Sequence, residues 1–169
     1  MTIALADLAK ALTTYLDDEV TVDITKVTTN VEKNEEGSFT LTVTNAAAPN
    51  GVKLTGLALH MTLDDPAVMD ILGKDDPAGI HTSRQDAGLN SPVVVNGQVA
   101  PNGQMCVFFN GDAGVLDVGK SATIEIEYRG KNAGTTTLKV HPHASVSSST
   151  LFPPNQAGVN SKQDITILT

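Results

Sequence analysis

His141-Pro142-His143 is the segment of this chain with the plainest chemical capacity. Residues two apart on an extended strand point the same way, so an H-x-H pair sets two imidazoles side by side, the beginning of a metal site. Such a site needs a third ligand and supporting groups, and the sequence places neither. Pro142 has no N–H to give to a ladder, which suggests an edge strand or a strand end. His60 is expected on a solvated strand face with Ala58 and Thr62, and His81 in a loop. Exposed or edge histidines are therefore expected, and a metal-dependent enzyme using His141 and His143 stands as a third functional alternative.

The other chemical patterns shrink when their surroundings are read. Gly114-Val-Leu-Asp-Val-Gly119-Lys120-Ser121 fits the phosphate-loop pattern G-x-x-x-x-G-K-[ST]. That chemistry needs a helix whose first N–H groups hold the phosphate. The next residues are Ala-Thr-Ile-Glu-Ile-Glu-Tyr, a period-two strand, so a turn before a strand is expected and nucleotide binding is not. Asp64-Asp65, Asp75-Asp76, Asp112 and Asp117 offer oxygens of the kind calcium takes. No D-x-[DN]-x-[DN]-G loop joins them, and Asp65 already caps the turn at Pro66, so calcium is only a minor alternative partner. No G-x-S-x-G elbow exists. Ser145, Ser147, Ser148 and Ser149 are neighbours of His143 in sequence, which does not make a triad. Cys106 lies in the apolar run Met105-Cys106-Val107-Phe108-Phe109 and reads as a buried, inert thiol. Glu125 and Glu127 share one strand face, about 7 Å apart, and read as solvated. The expectation is no catalytic residue, no metal ligand, no cofactor and no enzyme activity.

Two kinds of element position these groups. Leu5, Leu8, Ala9, Leu12 and Leu16 form one apolar stripe at helical spacing, with Asp7, Lys10, Thr14 and Asp17 away from it. From residue 20 the period becomes two. Val20, Val22 and Ile24 alternate with polar residues, as do Phe39, Leu41 and Val43, then Leu57, Leu59, Met61 and Leu63, then Ile124, Ile126 and Tyr128. Leu138 and Val140 continue the pattern, and Ile165 and Ile167 close it. Asn50-Gly51, Asn96-Gly97, Asn102-Gly103 and Asn110-Gly111 supply turn chemistry, the second joining Val93–Val95 to Gln98-Val99. Asp65-Pro66 predicts a short helical turn over 66–72, and residues 144–163 read as a long loop. The fold expected is all-β: an immunoglobulin-like antiparallel sandwich of seven to nine strands over 19–169, preceded by an amphipathic helical segment over 1–18.

Composition narrows the partners. The 169 residues are 40% hydrophobic, enough for a core, but only 4% aromatic, which argues against a sugar cleft or a base-stacking surface. Eleven Lys and Arg against nineteen Asp and Glu give a net charge of −8, so a phosphate backbone is repelled and no nucleic acid is expected. No run reaches the roughly 18 apolar residues of a membrane helix, and the N-terminus lacks the basic start of a signal peptide. The single Cys106 forms no intrachain disulfide, and the compartment stays open.

At the level of phrases, the run Gly37-Ser-Phe-Thr-Leu-Thr-Val-Thr-Asn45, followed by Leu57-Ala-Leu-His-Met-Thr-Leu-Asp-Asp-Pro-Ala-Val-Met69, resembles cohesin-type and related bacterial immunoglobulin-like modules. Gly119-Lys-Ser-Ala-Thr-Ile-Glu-Ile-Glu-Tyr and Ala133-Gly134-Thr-Thr-Thr-Leu resemble their later hairpin. The resemblance implies non-catalytic protein–protein binding, scaffolding or surface assembly; it names no binding residue. The N-terminal helix is its main departure. The first functional expectation is a sandwich subunit that self-associates into a filament, sheath, surface layer or virion component, with Leu5, Leu8, Leu12 and Leu16 as the contact stripe. The alternative is a cohesin-like module that recognises another protein or a glycan.

Overall fold

The computed structural model describes residues 5–72, 80–85, 94–95, 98–99, 104–109, 111–146, 155–156 and 161–169. Helix α1 (Leu5–Glu19) runs directly into β1 (Val20–Thr25). Next along the chain come β2 (Val31–Glu32), β3 (Glu36–Asn45), β4 (Thr55–Leu63), β5 (Met69–Ile71), β6 (Ile80–Gln85), β7 (Val94–Val95), β8 (Gln98–Val99) and β9 (Gln104–Phe109). A 3-10 turn (Gly111–Gly114) leads to β10 (Ser121–Gly130), β11 (Gly134–Ser145), β12 (Asn155–Gln156) and β13 (Ser161–Leu168).

Two sheets face each other. The first has the order β1-β3-β10-β5, and the second β2-β13-β11-β4-β9-β6 with β12 attached to β11. Among the described residues the strands pair antiparallel except for β2, which runs parallel to β13. The alternation expected from sequence sets the register: Val22, Val43 and Ala122 lie in one row of the first sheet, and Ile24, Leu41 and Ile124 in another. In the second sheet Leu59 pairs with Val107 and Pro142, and Met61 with Met105 and Val140. Phe39, Leu41, Ile126 and Tyr128 from one sheet and Leu57, Leu59, Met61 and Leu138 from the other are sealed from solvent. Each such side chain contributes about 1.5–3 kcal/mol, so these inner faces hold the sandwich together. Tyr128 shows how closely the first sheet is fitted. Its hydroxyl donates to the Thr28 carbonyl at 2.8 Å, and its ring covers Gly37, where a Cβ would come within 2.6 Å of the ring.

Helix α1 closes the same core. Leu12 and Leu16 are buried among the strand residues, Leu16 completely. Tyr15 then fastens the helix: its hydroxyl donates to Asn45 Oδ1 at 2.7 Å and accepts from the Val52 N–H at 3.1 Å. Asn45 is fully buried and donates from Nδ2 to the carbonyls of Val52 and Leu116, at 2.9 and 3.0 Å. One side chain thereby ties the end of β3 to the helix and to two loops.

Several local expectations give way to longer-range pairing. The segment 66–72 turns as expected, with Ala67 N–H donating to Asp65 Oδ1 at 2.9 Å, but it does not become helical. Met69–Ile71 is β5 instead, because those residues pair with Gly130, Arg129 and Tyr128 of β10. The segment between β10 and β11 is not a hairpin: β10 belongs to the first sheet and β11 to the second. This corner is held by Lys131 and Asn132, whose N–H groups both donate to the Val68 carbonyl, and Gly134 takes a φ of 150° there. Within 144–163, β11 runs on to Ser145 and β12 pairs with it at His143 and Ala144. Val94 pairs with Val99 and Val95 with Gln98, the register of the expected two-residue connection. Among the described residues no helix is long and apolar enough to cross a membrane.

Candidate functional site

The histidines are where the structure departs most from an ordinary sandwich surface. β4 and β11 lie side by side in the middle of the second sheet, and their register sets His141 directly opposite His60. Directly opposed residues share a face, with Cβ atoms about 5 Å apart. His143, two residues beyond His141, points the same way. Three imidazoles therefore gather on the outer face of one strand pair. The His60 ring centre is 6.0 Å from that of His141 and 6.1 Å from that of His143. Cys106 of β9 stands opposite His60 on its other flank, and Ser83 of β6 lies opposite Cys106.

Strand alternation makes this an outward face, yet it is largely dry. His60 is 5% exposed, His143 3% and Cys106 3%, while His141 is partly open. The expectation of a solvated His60 is thus corrected: its face is right and its environment is not. His81 is likewise corrected from a loop to β6, opposite Phe108. Pro142 is on an interior strand and not at an edge. It faces the core between Val140, the last residue of β11 to pair with β13, and His143, the first to pair with β12, so its missing N–H interrupts no ladder on that flank.

Burial dominates the electrostatics. Desolvation, and then the like charges of His60 and His141, push His143 down to about 4, so it is neutral at pH 7. Desolvation pushes the Cys106 thiol up to about 12, so it is protonated and unreactive, consistent with the inert thiol expected from its apolar run. The Nε2 atom of His143 has no hydrogen-bond partner among the described residues. As they stand, no three His, Cys, Asp or Glu groups among the described residues are placed to ligate a metal ion.

The remaining sequence candidates fall elsewhere. Lys120 of the phosphate-loop pattern is followed by β10, a strand and not a helix. Glu125 and Glu127 are exposed on the outer face of the first sheet. Asp64 pairs with Lys139 and Asp117 with Lys53, the latter at 3.4 Å, which gives both carboxylates a protein partner. Asp64, Thr137, Lys139, Lys162, Gln163 and Asp164 line a shallow, open, polar depression on the second sheet. Of the helical stripe, Leu12 and Leu16 are covered by their own sandwich; Leu5 and Leu8 lie in α1, but their side chains fall outside the described residues. Asp75 and Asp76 also lie outside them.

Two curled sheets with a filled interior define an immunoglobulin-like β-sandwich. Within that class its fold is similar to those of cohesin modules and of a pilin. It is similar to a cohesin module from a Clostridium perfringens family 33 glycoside hydrolase, with a TM-score of 0.55 over 89% of this chain and 97% of that one, at 10% identity. It is similar also to the seventh ScaB type I cohesin of Pseudobacteroides cellulosolvens (TM-score 0.51, 13% identity, 89% and 94% coverage). The full-length major pilin SpaD of Corynebacterium diphtheriae matches at 0.51 and 10% identity, over 87% of this chain but only 34% of the pilin. No protein-family model and no curated protein matches the sequence. At these identities the likeness is one of fold, and it bears out the resemblance carried by the strand phrases.

Proposed function

We propose that this chain is a non-catalytic β-sandwich module that works by binding another protein. The observation that carries this reading is the near full-length correspondence with a cohesin module, in which one closed sandwich accounts for almost the whole chain. The outer face of the first sheet supports it. Asp23, Thr40, Thr42, Thr123, Glu125 and Glu127 present a broad hydroxyl and carboxylate surface of the kind that recognises by complementarity, and its charge suits a basic partner face.

Two forms of association are open to such a module: a homomeric assembly through the helix stripe, and recognition of a separate partner. The position of α1 favours the second. Leu12 and Leu16 are already used within their own domain, so docking them on a neighbour requires the helix to exchange between subunits and Tyr15 to leave Asn45. The pilin likeness favours the first, in which the chain is a repeating subunit. Size-exclusion chromatography with light scattering at micromolar concentration separates them. The expected result is a monomer, together with a marked loss of stability when residues 1–18 are deleted. A concentration-dependent polymer, with a folded monomer remaining after the deletion, would reverse the preference and return the contact stripe to Leu5, Leu8, Leu12 and Leu16.

A further inference from the structure

We propose that His60, His141 and His143 bind one divalent transition-metal ion of the zinc class, which clasps β4 to β11 on the outer face of the second sheet. The site is independent of whether the module associates with itself or with another protein. Three observations carry it. First, the donors come from two hydrogen-bonded strands in fixed register, His141 opposite His60 and His143 beside it, so the backbone already holds three imidazoles on one side. Second, His60 and His143 are almost fully buried on a face where alternation would put water, so the protein spends dry space on polar rings. Third, the Nε2 atom of the 97% buried His143 finds no hydrogen-bond partner among the described residues. Native proteins rarely leave such an atom unsatisfied, and an ion is one of the standard ways of satisfying it.

The distances set what closure requires. Zinc holds imidazole nitrogen at about 2.0–2.1 Å, which puts the ring centres of two ligands roughly 5 Å apart. The observed 6.0 and 6.1 Å are too long for ligation as they stand, and no three donors are yet in ligating geometry. Closure requires His60 and His141 to turn about their side-chain torsions so that each distance shortens by about 1 Å. Three imidazoles leave a fourth position for water, and imidazole donors select zinc, nickel or copper over calcium or magnesium. His141, the partly open member, gives the ion its way in.

The test uses the untagged full chain, stripped with chelator and then titrated with Zn²⁺ by calorimetry and by thermal melting. The expected result is one ion per chain. The melting midpoint should rise by about 5–10 °C at a hundredfold excess over Kd. His141→Ala, at the partly open position, should keep the fold and weaken binding by at least about a hundredfold; His143→Ala should do the same. An unchanged midpoint would overturn the proposal and leave the His143 nitrogen to a buried water. So would Zn²⁺ binding that survives both substitutions, since the ion would then be held elsewhere.

Discussion

The two sheets turn the same alternation outward and do different things with it. On the first sheet, outward residues form rows of short polar side chains that satisfy one another in water: Thr42 with Thr123 at 3.1 Å, Thr44 with Ser121 at 2.7 Å, and Arg129 in an ion pair with Glu36. On the second sheet, the corresponding positions of β4, β9 and β11 carry His60, Cys106 and His143, and these are as dry as the core. The difference is one of cover. Backbone pleating decides which way a side chain points, and whether it meets water there depends on what lies over the sheet. Polar residues placed on a covered face must find partners within the protein or hold a bound group, whereas those on an open face need nothing. This is why the second sheet, and not the hydroxyl-rich first, is where unusual chemistry collects.

The largest effect should come from charging equivalent positions on the two faces. Cys106→Lys puts an ammonium at a buried position opposite His60. We expect a loss of about 3–5 kcal/mol in urea denaturation, or failure to fold. Thr123→Lys, at the same strand parity on the first sheet, should stay within about 0.5 kcal/mol of the parent. Equal effects at the two sites would remove the distinction between the faces.

Acid should sharpen it. The folded pKa of His143, about 4, lies below the ordinary value of 6.5, so the unfolded chain binds the proton more readily. Stability should therefore be unaffected by this group above about pH 6.5, fall as pH drops toward 4, and level off below. The loss amounts to at most about 3 kcal/mol. Comparing metal-stripped parent with His143→Ala isolates the contribution from the other histidines: the variant should show a shallower fall between pH 6.5 and 4.5. Parallel pH profiles would mean that His143 is hydrated in the folded protein.

How much of this is legible in sequence depends on the range of the interactions. The strands are readable because Thr-aliphatic alternation writes the pleat directly, as in Phe39 to Thr44, and because the strand after Lys120 contradicts a phosphate loop within a few residues. The common orientation of His141 and His143 is readable for the same reason. Their third neighbour is not, since the register that sets His60 beside His141 joins residues 81 apart. The corner at Lys131 to Gly134 looks locally like a hairpin turn; only the choice of partners, β3 and β5 for one strand and β4 and β13 for the other, shows that the chain changes sheets. Asn45 enters the sequence reading only as the last residue of the strand phrase Gly37 to Asn45, while its work is done with Tyr15, Val52 and Leu116. Its one sequence signal is parity: it follows Phe39, Leu41 and Val43 on the inward side of the strand, which marks a polar group in need of partners without naming them.

The smallest effect tests the open face by removing its internal bonds. Thr44 and Ser121 join by their hydroxyls across β3 and β10 at 2.7 Å, and both are in reach of water. A hydrogen bond that trades evenly with solvent contributes little, and cross-strand pairs of this kind are worth only about 0.2–1 kcal/mol. Thr44→Val keeps the β-branched shape and deletes the hydroxyl, so the loss should be at most about 0.5 kcal/mol, and Ser121→Ala should add little to it. A double-mutant cycle on the two positions reads the coupling directly. A coupling well above 1 kcal/mol would mean that the first sheet's outer face is shielded from water like the second, and that cover does not separate them.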